Sequence, residues 1–203
     1  MIDHEPAIRR SVQESSQLSP ELWNDPRCQR EADGLVRLLL RPGMLELFAI
    51  HEAGHEIYYR RAGCTTFIFD SPRIIYKKEN EHPFTEQRAR IRIGEWIQPE
   101  GDDWLSKLAK GYAAGGECSR KLTSTDYAGD TIDRQLWNDL CADCYKGTAT
   151  DEEIKTIADD MWDKAQKQVG IELEEVMKAR IQKRAKEIMP QLFPWLRAQD
   201  SHR

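Results

Sequence analysis

No stretch of the chain approaches the roughly 20 apolar residues that a bilayer-spanning helix needs. The opening MIDHEPAIRRSVQESS has no apolar core of the kind a secretory signal carries, so the expected location is cytoplasmic. Positive charge is not in excess either: the formal net charge is −5, which gives no general attraction to nucleic acid or to an anionic membrane surface. A phosphate loop of the form G-x-x-x-x-G-K-[ST] is missing, and with it any ATPase module in this sequence. Cysteine is sparse, odd in number and scattered (Cys28, Cys64, Cys118, Cys141, Cys144), which favours reduced thiols over a disulfide framework. Neither an internal repeat nor a low-complexity tract is present.

What remains is a polar globular composition, 39% hydrophobic and 32% charged over 203 residues, enough for one compact catalytic unit with appendages. Within it, Phe48 to Arg60 reads FAIHEAGHEIYYR and contains His51-Glu52-Ala53-Gly54-His55. On a helix, residues four apart lie on one face, so both imidazoles can reach one metal ion while Glu52 projects about 100° away. In a zinc hydrolase this spacing supplies two zinc-binding histidines and a glutamate that takes a proton from the activated water.

The expected fold class is α+β and predominantly helical. Residues 1–31, punctuated by Pro6, Pro20 and Pro26, read as an N-terminal arm, 32–147 as a metallopeptidase-like domain, and 148–203 as a C-terminal helical segment. ADGLVRLLL (32–40) suits a short helix or buried strand, and Arg41-Pro42-Gly43 is a turn. A helix from Met44 to about Ala62 closes at Gly63, where glycine takes the left-handed conformation freely. Gly54 lowers helix propensity by about 1 kcal/mol relative to alanine, which close approach of another backbone or of substrate would offset. The period then changes to two: 65–69, 73–76 and 90–97 read as strands of a small antiparallel sheet, with 77–87 as a polar loop.

Further on, Trp104 to about Leu122 reads as a helix whose Ala113-Ala114-Gly115-Gly116 allows close helix packing. Another helix follows Thr123-Ser124-Thr125 and ends near Gly147. Thr150 and Glu153 form a capping box that opens a long amphipathic run, with a break near Gly170 and an end at Pro190 and Pro194.

Catalytic zinc sites use three protein ligands, and with His4, His82 and His202 the remaining histidines, a downstream carboxylate is the better third ligand. AIHEAGHEIYYRRAGC, the later GYAAGGECSRKL and GDTIDRQLW together resemble the peptidase domain of the FtsH-type AAA+ metalloproteases and their stand-alone relatives, over about Met44 to Cys144. That resemblance implies His51 and His55 as zinc ligands, Glu52 as general base, and an aspartate at a helix start as third ligand. Asp130 is the best match, with Asp133 and Asp126 as alternatives. Glu117 would be a partner for an imidazole N–H or a solvated helix residue. Cys141-Ala142-Asp143-Cys144 lacks the second pair a structural zinc needs, so its cysteines read as small core residues.

The expected activity is metal-assisted peptide hydrolysis with Zn²⁺ as cofactor and a peptide or protein as substrate. A non-catalytic zinc-binding interaction module and a zinc hydrolase of a non-peptide amide are the rival readings, and a homo-oligomer or a separate partner protein both stay open.

Overall fold

The computed structural model describes residues 4–94, 103–123 and 130–197, apart from the side chain of Asp130. Among these are eight helices and four short strands: α1 (Glu5–Ser16), α2 (Pro20–Trp23), α3 (Pro26–Leu39), α4 (Met44–Arg61), β1 (Phe67–Asp70), β2 (Arg73–Tyr76), β3 (Phe84–Gln87), β4 (Arg90–Ile93), α5 (Trp104–Thr123), α6 (Asp130–Tyr145), α7 (Asp151–Glu172) and α8 (Glu175–Leu192), followed by one 3₁₀ turn. The mostly helical α+β class is as expected. No described helix is long and apolar enough to cross a membrane.

The chain divides into two compact units, one gathering Met1–Ala49, Phe69–Arg92 and Lys186–Arg203, the other Ile50–Ile68 and Ile93–Ala185. In the first, residues expected as an arm form helices. Ile8 and Val12 recur at a spacing of four on α1 and are buried, and Cys28, Ala32, Leu35, Val36 and Leu39 give α3 a continuous apolar face. Ser19 and Asp25 cap the helices that follow them, each accepting a backbone N–H. β2 and β3 pair antiparallel, Arg73 opposite Gln87 and Tyr76 opposite Phe84, and Ser16 Oγ accepts the Ile74 N–H at 2.8 Å.

β3 corrects the reading of 77–87 as loop. The segment FTEQ is too short and too polar at its end to read as a strand, but buried Phe84 and Gln87 fix it beside β2, so packing overrides pattern. The expected single sheet is two two-stranded sheets, β1 with β4 and β2 with β3. The far end of the strand expected over 90–97 lies outside the described residues.

The second unit is built on α5, α6 and α7, which pack mutually. Leu105, Ala109 and Ala113 of α5 meet Trp137 and Cys141 of α6 and Ile154, Ala158, Trp162 and Ala165 of α7 in one apolar core. Trp137 is fully buried and its indole N–H donates to Ala158 O at 2.9 Å, which fixes the rotation of α6. α7 starts at the expected capping box: Thr150 Oγ1 accepts from Glu153 N while the Glu153 carboxylate accepts from Thr150 N. The helix breaks at 173–174 rather than at Gly170. α8 continues through Pro190 to Leu192, because a proline two residues from a helix end removes only one ladder bond and Phe193 N–H still reaches Met189 O.

At the end of α4, Gly63 has φ +94° and Cys64 N–H donates to Tyr59 O, the arrangement that closes a helix through a left-handed glycine. On the same helix Glu56 is fully buried. Its carboxylate accepts from Arg60 (Nε 2.9 Å, Nη2 2.7 Å) and from Arg184 of α8 (Nε 2.8 Å, Nη2 2.8 Å), so the charge is removed from water only in company of two guanidinium groups.

Candidate metal centre

His51 and His55 lie one turn apart on α4 and are 5% and 4% exposed. Their Nε2 atoms are 3.0 Å apart, and Asp133 Oδ2 of α6 lies 3.1 Å from the first and 3.2 Å from the second. Three donor atoms thus form a nearly equilateral triangle, and this group could hold a metal ion. An ion with bonds of about 2.1 Å separates neighbouring ligands by about 3.0 Å in octahedral and about 3.4 Å in tetrahedral geometry, so the triangle suits either.

The other ring nitrogens explain why each imidazole turns its Nε2 toward the cluster. His55 Nδ1 is 2.7 Å from Gly111 O; a carbonyl only accepts, so Nδ1 carries the proton and donates it there. Ser119 Oγ donates to Gly115 O at 3.0 Å and stands 3.3 Å from His51 Nδ1, which leaves the hydroxyl oxygen to accept the His51 Nδ1–H. Both Nε2 lone pairs are therefore directed at one point, the tautomeric state a metal-binding imidazole requires.

α5 supplies these contacts from one stripe. Gly111, Gly115 and Ser119 are four residues apart and face the two histidines in turn. A Cβ at Gly115 would sit 2.3 Å from His55 Nε2 and 2.7 Å from His51 Nε2, so only glycine leaves the donor atoms room. A Cβ at Gly111 would meet the Tyr59 ring at 2.2 Å, and one at Gly54 would meet Ala114 O at 3.0 Å and Cys118 Sγ at 2.8 Å. The close backbone approach expected at Gly54 is therefore with α5. Tyr59 stacks on His55 at 5.8 Å and meets Tyr112 edge-on at 5.5 Å, and Tyr112 in turn tilts against Trp137 at 5.9 Å. Since Trp137 is one turn beyond Asp133, this aromatic chain braces the histidines and the helix that bears the carboxylate.

The electrostatics are those of a site that holds positive charge. Burial alone would push the His55 imidazole down, but the Asp133 carboxylate outweighs it, with Glu52 adding, and holds the group up at about 9. Burial likewise opposes the Asp133 charge, yet the two imidazoles keep its carboxyl far below the usual range. Glu52, 5% exposed, adjoins His51 on the buried side of α4.

Of the residues singled out from sequence, His51, His55 and Asp133 come together. Asp130 opens α6, and its side chain, like Asp126 as a whole, lies outside the described residues. Glu117 pairs with Arg120 at 2.6 Å, and the imidazole N–H groups go to Gly111 O and Ser119 instead. Cys141 is a core residue as expected, whereas Cys144 is exposed; all five thiols are free. Ser119, Gly111 and Glu56 were not singled out from sequence as site or core-charge residues. The spacing of four through GYAAGGECS was the available signal for the first two. No protein-family model matches this chain, and no curated protein shows significant similarity to it.

Proposed function

We infer that this chain is a zinc-dependent peptidase of the FtsH-type peptidase lineage. The observation that carries the reading is the convergence of His51, His55 and Asp133 in one buried cluster on a helix that also bears Glu52. Two neutral imidazoles and one carboxylate are the donor set of catalytic zinc sites, which leave a position open, whereas structural sites close with four protein ligands. His51, His55 and Asp133 would hold the ion. When bound, zinc supplies Lewis acidity, which polarises an amide carbonyl and makes water acidic near neutral pH.

The chain's own residues do the rest. Glu52 accepts the proton of the attacking water and returns it to the leaving amine. Gly111 O and the Ser119 hydroxyl keep both histidines in the Nδ1–H form, and Gly115 keeps the space in front of their Nε2 atoms clear. Low exposure of Glu52 and both histidines excludes bulk water from the proton transfer and strengthens each electrostatic contact.

The test joins metal analysis to cleavage of a fluorogenic peptide library. Wild-type protein should carry one zinc per chain and cleave peptides, and Glu52→Gln should retain the zinc and lose at least about a hundredfold in turnover, the usual worth of a general base. Stoichiometric zinc with no hydrolysis would overturn the peptidase reading in favour of a binding module, and a Glu52→Gln variant with full turnover would overturn the assigned base.

A further inference from the structure

Away from the metal centre, the β2–β3 hairpin holds an arrangement of donors without acceptors. Arg73 and Gln87 are directly opposite each other across the two strands. Gln87 is 9% exposed, Arg73 is half-buried, and Arg73 Nη2 donates to Gln87 Oε1 over 3.3 Å. Arg73 Nε and Gln87 Nε2 are both buried and have no acceptor among the described residues. An orphaned buried donor costs about 1–3 kcal/mol, so two beside one contact call for an occupant that accepts hydrogen bonds.

Charge narrows the occupant. Among the neighbouring arginines of the sequence, Arg90 and Arg92 share the Asp70 carboxylate, and Arg88 pairs with Glu86. Among the described residues, Arg73 faces only a neutral amide. Nε and Nη2 lie on one edge of a guanidinium, the fork that takes two oxygens of a carboxylate or phosphate side by side. At Arg73 that edge abuts an amide whose own NH₂ is unfilled. A water satisfies two donors but leaves the charge unpaired; an oxyanion satisfies both.

We propose that Arg73 and Gln87 form an oxyanion-binding site, taking a carboxylate or phosphate group between the Arg73 fork and the Gln87 amide. The site is independent of the metal-centre reading, since none of its residues is a metal ligand or contacts one.

The experiment follows the side-chain ¹⁵N–¹H resonances of Arg73 Nε and Gln87 Nε2 in the full chain while sodium acetate or inorganic phosphate is added at constant ionic strength, with sodium chloride as control. The expected result is a saturable shift of both resonances with at least one of the two anions. Saturation by acetate alone assigns the site to carboxylates, and tighter saturation by phosphate assigns it to phosphate groups. Gln87→Leu and Arg73→Lys should each weaken binding about tenfold or more, the worth of one hydrogen bond to a charged group. Arg73→Lys keeps the charge and the fold while removing the fork, so it stays informative if Gln87→Leu unfolds. Shifts no different from chloride, or unchanged affinity in both variants, would overturn the proposal and leave a buried water as the occupant.

Discussion

Replacing Gly115 by alanine adds one methyl group at the most constrained point of the candidate metal centre. Its carbon would stand 2.3 Å from His55 Nε2 and 2.7 Å from His51 Nε2, against an ordinary carbon–nitrogen contact of about 3.4 Å or more. The imidazoles must withdraw by about an ångström, roughly half the length of a zinc–nitrogen bond of about 2.1 Å. Loss of a supporting partner alone lowers metal affinity 10–100-fold, so displacing two of three ligands should weaken binding by about a hundredfold or more. Stability moves far less: alanine gains about 1 kcal/mol of helix propensity while overpacking costs about 1–3 kcal/mol, a net loss of about 0–2 kcal/mol. Competition with a chromogenic chelator measures the first quantity, and urea unfolding in excess chelator measures the second. Gly34→Ala is the control, because a Cβ at that helical glycine meets nothing within 4 Å; it should stabilise by up to about 1 kcal/mol and leave metal binding alone. If Gly115→Ala bound zinc as tightly as wild type, the two Nε2 atoms would not be the ligands and the centre would have to be reassigned.

Three more outcomes can be checked. Ser119→Ala removes the acceptor of His51 Nδ1–H and should lower zinc affinity about 10–100-fold while unfolding in chelator shifts little; unchanged affinity would remove Ser119 from the site. Arg184→Ala leaves the fully buried Glu56 with Arg60 alone, and urea titration should show a loss of about 3 kcal/mol, at the lower end for a broken buried pair because one guanidinium remains. Burial opposes the Asp70 charge, but Arg92 and Arg90 depress its pKa overall, so its contribution to stability is complete above the ordinary carboxylate pKa and is lost as pH falls through the lower folded value. Asp70→Asn should therefore be less stable than wild type at neutral pH, with the two unfolding curves converging in acid; a constant gap across the whole range would contradict this.

Helix placement was legible where pattern and punctuation agreed, as in α4 between Gly43 and Gly63 and in α7 at its capping box. The pairing of the two histidines on one face of α4 followed from spacing alone. The carboxylate did not, for a geometric reason. Asp130, Asp133 and Trp137 are spaced by three and four, so all fall on one stripe of α6, and periodicity cannot choose between positions offset by about 4.5 Å along the axis. Asp133 is brought to the histidines by Trp137 seating against α7 and by the aromatic contacts from α4 through α5, which are tertiary. Ser119 was hidden for a similar reason: a serine mid-helix looks like any other until the histidine facing it is known. The N-terminal helices were masked by prolines, each of which stands in the first turn of a helix, where its missing N–H has no partner to lose. β3 was missed because a four-residue strand paired across a seven-residue loop carries too little alternation to read.

The glycines that make room on α5 also govern when the centre can form. Gly111, Gly115 and Gly116 together lower the intrinsic stability of this 20-residue helix by about 3 kcal/mol relative to alanine, enough to leave it largely unwound on its own. α5 therefore gains its helical order by packing on its neighbours, α6 and α7 among them, and the space for the donor atoms, the Gly111 carbonyl and the Ser119 hydroxyl all arrive with that order. The two imidazoles therefore gain their supports as one unit, whereas Asp133, the third member of the cluster, is carried by α6.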